Sequence, residues 1–259
     1  MPEHRCDQPV RILARTAGRR EVVRAIGAAG IALLAQRLDP PNLRDVSAQQ
    51  STADLTLLAS GEAELAPGSL VAWRVVQDAA EVSEAATFEE RALGFAVAPV
   101  LFTSLLLTDE ATGEQVQLDP RAAAFVAEGT SQRRESLRES ATSYLRIELV
   151  EATTANVSGG DRLFFPGPAF AAPSGPVTLS LQRAEIAEGE SVGLPSGAGD
   201  TLVLVEQGEV ELEVGEAAMR ERLMTTVGSD TLYAIRSVPS AGTLYGRRDA
   251  TFVLIATID

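Results

Sequence analysis

The sequence predicts an all-β body, on three observations. Short aliphatic and β-branched runs recur between Gly, Pro, Asp and Asn residues, as strands do between turns. Apolar and acidic residues alternate strictly in Val210-Glu211-Leu212-Glu213-Val214, the pattern of a strand with one face buried. After residue 48 no long stretch carries a helical period. Many short strands with turn signals between them indicate a sandwich or barrel.

The strands follow in order. In the first half they are expected at 70–76, 101–108, 114–118, 123–127 and 143–150, and in the second at 177–187, 201–207, 209–214, 231–235 and 250–258. Gln207-Gly208 falls between two of them and is expected to close a tight hairpin, since glycine supplies the turn's backbone freedom. Residues 157–176 differ. They carry Pro166-Gly167-Pro168 and Pro173-Ser174-Gly175-Pro176, with Leu163, Phe164, Phe165 and Phe170 among them. Proline and glycine make this a linker, and the aromatics require it to pack onto something. The expected organisation is a targeting segment at 1–48, a first domain at 49–156, a linker at 157–176 and a second domain at 177–259.

Charge and composition exclude several functions. The chain has 259 residues and a net charge of −14. Residues 1–48 are net +3, so the body is net −17. Phosphate backbones and anionic lipid are repelled by such a body, and nucleic acid is excluded as a partner. Every basic residue except His4 is arginine, which removes lysine Schiff bases and phosphate-loop lysines. From residue 49 onward there is no histidine and no cysteine, so imidazole-bound metals, thiols and serine–histidine pairs are excluded there.

The segment from Gly18 to Arg24 is basic and leads into the apolar run 25–35. A positive stretch followed by about 7–15 apolar residues has the form of a secretory signal. The run is shorter than the roughly 20 residues a membrane-spanning helix needs. With Arg19-Arg20, followed by Val22, Val23 and Arg24, the segment resembles a twin-arginine signal. Val46-Ser47-Ala48 supplies small residues for cleavage after Ala48. The resemblance implies export to the periplasm, cell envelope or exterior, with no stable membrane insertion after processing.

The two halves end alike. Residues 118–132 precede Tyr144-Leu145-Arg146-Ile147-Glu148-Leu149, and residues 228–235 precede Phe252-Val253-Leu254-Ile255-Ala256. This pattern resembles the cupin superfamily and the two halves resemble a bicupin, which implies two tandem jelly-roll barrels with ligand sites inside and, as is common among cupins, a homodimer. The metal-binding motifs of that superfamily are degenerate here. Gly189 and Gly208 match the ends of the first motif, while Pro195, Gly197 and Thr201 stand at its histidine and glutamate positions. Ala127, Gly129 and Gln132 match the second motif, with Gln132 at a histidine position. No metal and no cofactor is therefore expected, and the superfamily's metal-dependent activities are not carried over.

Gln132 is the leading pocket candidate, since it both donates and accepts at a position of the resemblance that faces the barrel. Arg134 and Arg133, with Arg247 and Arg248 at the equivalent place in the second half, are candidates for clamping an anion. Thr201 and Tyr233 complete the pocket candidates, and Trp73 or Tyr233 would stack on a sugar. Glu89-Glu90 and Glu188 with Glu190 are paired acids of the kind glycosidases use, although neighbours on a strand point to opposite faces. The favoured reading is a metal-free protein that binds a small molecule, a sugar or an organic acid, or a partner. Its alternatives are an enzyme working through Glu, Gln and Arg, and a structural homo-oligomer with filled barrels. A convergence of Gln132, Arg134 and an acid inside one cavity would discriminate the enzyme alternative from the binding one.

Overall fold

The computed structural model describes residues 52–82, 87–98, 104–157, 161–215, 219–225, 233–239, 241–248 and 250–259. All belong to the second of two compact units, Ser47–Asp259. Arg19, Arg20, the expected cleavage site at Ala48, His4 and Cys6 lie outside the described residues. Strands make up the regular structure of the described residues, apart from one 3-10 turn at Ala152–Thr154, as the alternation and turn spacing require. No helix among the described residues is long and apolar enough to cross a membrane.

Eight strands build a first barrel: β2 (Leu70–Ala80), β3 (Thr87–Glu90), β4 (Gly94–Val97), β5 (Leu105–Asp109), β6 (Gln115–Leu118), β7 (Ala123–Val126), β8 (Ser131–Ser136) and β9 (Thr142–Glu151). They form two sheets, β2-β9-β4-β7 and β3-β8-β5-β6. Eight more build a second: β12 (Gly175–Ile186), β13 (Ser191–Gly193), β14 (Thr201–Gln207), β15 (Glu209–Val214), β16 (Met219–Met224), β17 (Ala234–Val238), β18 (Gly242–Gly246) and β19 (Thr251–Ile258). Their sheets are β12-β19-β14-β17 and β13-β18-β15-β16. Numbered within each barrel, the strands run 1-8-3-6 in one sheet and 2-7-4-5 in the other, both times. That is the jelly-roll connection, repeated.

The barrels trade edge strands. β1 (Leu55–Leu65) precedes the first barrel, yet it pairs along its length with β12 of the second, from Leu55↔Ala184 to Leu65↔Gly175. The segment read as a linker supplies β10 (Arg162–Pro166) and β11 (Phe170–Ala171), which pair back onto β2. β2 and β12 are each the outermost jelly-roll strand of their sheets, and a long apolar edge left bare invites further pairing. Strand pairing therefore crosses the domain bounds expected at residues 156 and 177. Phe164, Phe165 and Phe170 pack against the central core, where the linker reading asked aromatics to pack down.

The two large sheets lie face to face. Trp73, Val75, Leu145 and Ile147 of the first meet Leu179, Leu181, Leu202, Leu204 and Leu254 of the second. Each of these strands buries its other face inside its own barrel, which is why β2, β14 and β19 read as nearly continuous apolar runs. At Gly61 of β1 an added Cβ would come within 2.2 Å of the Phe125 ring, so the closeness of this seam depends on glycine there.

Gly208 does not close a hairpin. β14 pairs with β17 and β19, whereas β15 pairs with β16 and β18. The chain instead turns a corner between sheets at a φ of 95°, with Thr251 Oγ1 only 2.5 Å from where a Cβ would sit.

Candidate functional site

Both barrels enclose an apolar cluster, Leu105, Leu107, Leu118 and Val126 among them in the first, but the first adds a buried charged network beside it. Inside the second, Ile186, Val203, Val205, Leu212, Leu244 and Ile255 form an aliphatic plug. Inside the first, β8 turns Gln132, Arg134 and Ser136 inward, all buried, while Arg133 and Glu135 between them are half-buried. β2 contributes Asp78, β9 contributes Tyr144, Arg146 and Glu148, and the residue after β3 contributes Arg91. On β9 the inward polar residues alternate with Leu145, Ile147 and Leu149, which face the seam.

Asp78 is the centre of this interior. Tyr144 Oη donates to its Oδ2 at 2.8 Å, and Arg134 donates to the same oxygen. Arg134 Nη1 also donates to Tyr144 Oη at 2.7 Å. Arg91 Nη1 stands 3.2 Å from Asp78 Oδ2 and Arg146 Nε 3.3 Å. The other carboxylate oxygen accepts from the Ala79 N–H at 2.7 Å. The network continues outward: Arg146 Nη1 pairs with Glu148 Oε1 at 3.1 Å, and Arg146 also reaches Asp161. Glu148 Oε2 accepts from Arg74 Nε at 2.9 Å and Nη2 at 2.6 Å.

Burial alone would raise the Asp78 carboxyl. Arg134, Arg146, the Tyr144 hydroxyl and the Ala79 N–H outweigh it and hold the group below its ordinary value. Burial pushes the Tyr144 phenol well above the usual tyrosine range, so Tyr144 keeps its proton at neutral pH and acts as a donor. Ion pairs taken out of water gain little net stability over an apolar core, and the second barrel shows the apolar solution to the same topology.

Beside this network a small cavity is lined by Arg91, Phe95, Gln132, Tyr144, Arg146 and Glu148. It has room for about one water molecule. Its walls offer guanidinium donors, a carboxylate acceptor and the two-way amide of Gln132, with apolar surface from Phe95. Among the described residues no group of three or more His, Cys, Asp and Glu is placed to hold a metal ion.

Gln132 lines the small cavity with Glu148, while Arg134, bonded to Asp78, lies in the same barrel interior but does not line that cavity. Thr201 and Tyr233 are not brought to them. Thr201 is buried at the start of β14 in the second barrel. Tyr233 lies in the seam, packed edge-on against Phe164 at 5.3 Å between ring centroids. Trp73 is a core residue whose Nε1 donates to the Asp200 carbonyl at 2.6 Å. Arg133 pairs with Glu135 at 3.2 Å, and Arg247 and Arg248 with Glu211 and Glu209, so these arginines balance neighbouring acids. Glu190 accepts from the Ala187 N–H at 3.0 Å, and Glu188 is exposed. Glu89 and Glu90 are consecutive residues of β3. The residues that the sequence reading passed over are Asp78, Arg91, Tyr144, Arg146 and Glu148. A visible signal was there for three of them: Tyr144, Arg146 and Glu148 alternate strictly with apolar residues.

No family model matches the chain, nor does any curated protein. Among solved structures it is similar to the protein YhaK from Escherichia coli, at 12% identity over 76% of this chain and 92% of that one, with a TM-score of 0.44. It is also similar to a cupin 2 conserved barrel domain protein from Leptotrichia buccalis, at 13% identity over 82% and 92% of the two chains, with a TM-score of 0.40. A third likeness is to the coconut allergen cocosin, at 8% identity over 82% and 87%, with a TM-score of 0.46. A shared fold transfers no activity, so function is argued from this chain's own residues.

Proposed function

We propose that this is an exported, bicupin-like binding protein that takes a small hydroxylated organic acid at its first barrel, where the one-water cavity beside Asp78 must widen to admit it. The observation that carries the reading is the contrast between the barrels. The second barrel's interior is an aliphatic cluster, whereas in the first arginines, carboxylates, Gln132 and Tyr144 are buried beside an apolar cluster of Leu105, Leu107, Leu118 and Val126. Buried charge of that density is costly, and a site that must recognise charge is a reason to keep it. Arg91 and Arg146 present guanidinium donors suited to a carboxylate, while Gln132 and Glu148 match hydroxyl groups. No step of bond chemistry is assigned, and the homodimer expected from the resemblance is part of the same proposal.

The test is a thermal-shift titration of the whole chain with tartrate, malate, citrate and gluconate, repeated with Gln132→Leu and Arg146→Gln. A ligand at about 100 times its dissociation constant stabilises by roughly 2.7 kcal/mol. For a protein this size that raises the melting temperature by roughly 5–10 °C. A shift that both substitutions remove supports the reading. The smallness of the cavity favours one other reading, a barrel filled by its own ion pairs and serving structure alone. Absence of any shift from these acids would select that one.

A further inference from the structure

A second, larger site lies where the barrels meet. At one end of the seam a groove of about 510 Å³ opens, within the usual range for small-molecule pockets. Its walls come from both barrels: Thr56 and Leu58 of β1, Arg121 from the turn between β6 and β7, Arg183 and Glu185 of β12, and Phe252 of β19. Asp54 and Glu190 stand at its rim.

Arg121 is the unusual member. It is the one non-glycine residue with a positive φ among the described residues, at 71°. A left-handed backbone at an ordinary residue costs on the order of 1–3 kcal/mol and persists only where its surroundings hold it. Here they do: the Arg121 N–H donates to the Ala98 carbonyl at 3.1 Å, and the Arg121 carbonyl accepts from Arg183. Arg183 is itself anchored to buried Glu206 at 3.0 Å. The consequence is that the Arg121 guanidinium lies flat over the Phe252 ring, 4.2 Å from its centre. Among the described residues no carboxylate touches it, although the body around it is strongly acidic. Arg183, by contrast, is already neutralised by Glu206.

We infer that this groove binds a small zwitterion, a free α-amino acid or a dipeptide. A cation held in place with no carboxylate in contact, Glu206 acting on it only at longer range while bonded to Arg183, asks for a carboxylate. The groove as a whole nevertheless carries three acids, Asp54, Glu185 and Glu190, against Arg121 and the neutralised Arg183, so a plain anion is repelled. A ligand with a carboxylate for Arg121 and an ammonium group for the acids satisfies both ends. Leu58, Phe252 and the Ala187 and Ala250 methyls supply an apolar wall for a side chain. This site is independent of the first-barrel reading and shares no residue with it.

The experiment is calorimetric titration of the whole chain with the common α-amino acids and a set of dipeptides. For the tightest binder, its N-acetyl and amide derivatives are titrated as well. At least one amino acid or dipeptide binds at millimolar concentration or below, and removing either charge weakens it by about tenfold or more. Arg121→Gly abolishes the binding. Glycine takes the left-handed backbone without strain, so this variant keeps its fold and isolates the guanidinium. Gln132→Leu, in the first barrel, leaves the affinity unchanged. The inference is overturned if no member of the set binds, if Arg121→Gly binds equally well, or if the N-acetyl derivative matches the free amino acid.

Discussion

Tyr144 gives its hydroxyl hydrogen to Asp78 at 2.8 Å, between directly paired residues of the neighbouring strands β9 and β2, while receiving one from Arg134. The phenol therefore acts as a wedge that keeps the arginine and the carboxylate in one geometry. Tyr144→Phe removes one bond to a charged acceptor and is expected to destabilise by about 1–3 kcal/mol. Asp78→Asn leaves Arg91, Arg134 and Arg146 around a neutral group, so it costs more, about 3–5 kcal/mol. Urea denaturation of the two variants should rank them in that order. Equal midpoints would mean that the arginines do not depend on Asp78.

The same network sets an acid limit. The Asp78 carboxyl is held below its ordinary value, so the stability it contributes is present above the unfolded-state value of about 3.9 and is lost as pH falls through the lowered folded value. Glu206 behaves oppositely. Its burial, only partly offset by Arg183, raises its carboxyl, so its contribution is full below the unfolded value of about 4.3 and is lost as pH rises through the raised folded value. Melting temperatures across the pH range should show Asp78→Asn with a flattened acid limb. Glu206→Gln should lack the decline on the rising side. A wild-type acid limb retained by Asp78→Asn would place the acid sensitivity elsewhere.

Gly61 and Phe125 make a close demand on sequence at the seam, since a methyl at Gly61 would stand only 2.2 Å from the ring. Gly61→Ala should cost about 1–3 kcal/mol by overpacking. Phe125→Leu alone loses ring contact with Phe95, which packs edge-on at 6.0 Å between centroids. Combined, the two changes should cost less than their sum, because the smaller side chain makes room for the methyl. Strict additivity in a double-mutant cycle would show that the ring moves freely out of the way.

What was legible in the sequence follows the physics of alternation. β14 and β15 were readable to the residue because one strand is apolar on both faces and the other alternates apolar with acid. β8 was missed as a strand. Its Ser-Gln-Arg-Arg-Glu-Ser carries no apolar residue, since its inward face serves the charged part of the barrel interior and not the apolar cluster beside it. The same fact explains the site. Gln132 and Arg134 were singled out from the sequence, but Asp78 and Arg91 could not be, because only the pairing of β2 with β9 and the turn after β3 bring them to Tyr144. β10 and β11 were hidden by Pro166 at the end of β10 and by Pro168 and Pro173 flanking β11, residues that sheets admit at an edge such as the outer side of β2. Thr201 rested on a motif alignment, and it opens β14 beside an aliphatic interior; Tyr233 rested on its ring, which packs into the seam against Phe164.

The exchange of edge strands makes the second barrel dependent on residues that precede the first. Expressed alone, residues 175–259 would bare the long edge of β12, which β1 covers, together with the seam face carrying Leu179, Leu181, Leu202, Leu204 and Leu254. An apolar edge beside an apolar face is a template for aggregation. The fragment is therefore expected to be insoluble or self-associating by size-exclusion chromatography. A synthetic strand spanning residues 52–66, added in trans, should pair with β12 and recover soluble material in part, leaving only the seam face uncovered. Lys introduced at Leu181 and Leu204 in the same fragment should complete the recovery, because β1 satisfies the edge and the charges satisfy the face. A fragment that is monomeric without either addition would show that β12 tolerates a free edge, and the strand exchange would then serve the seam groove and not the barrel's solubility.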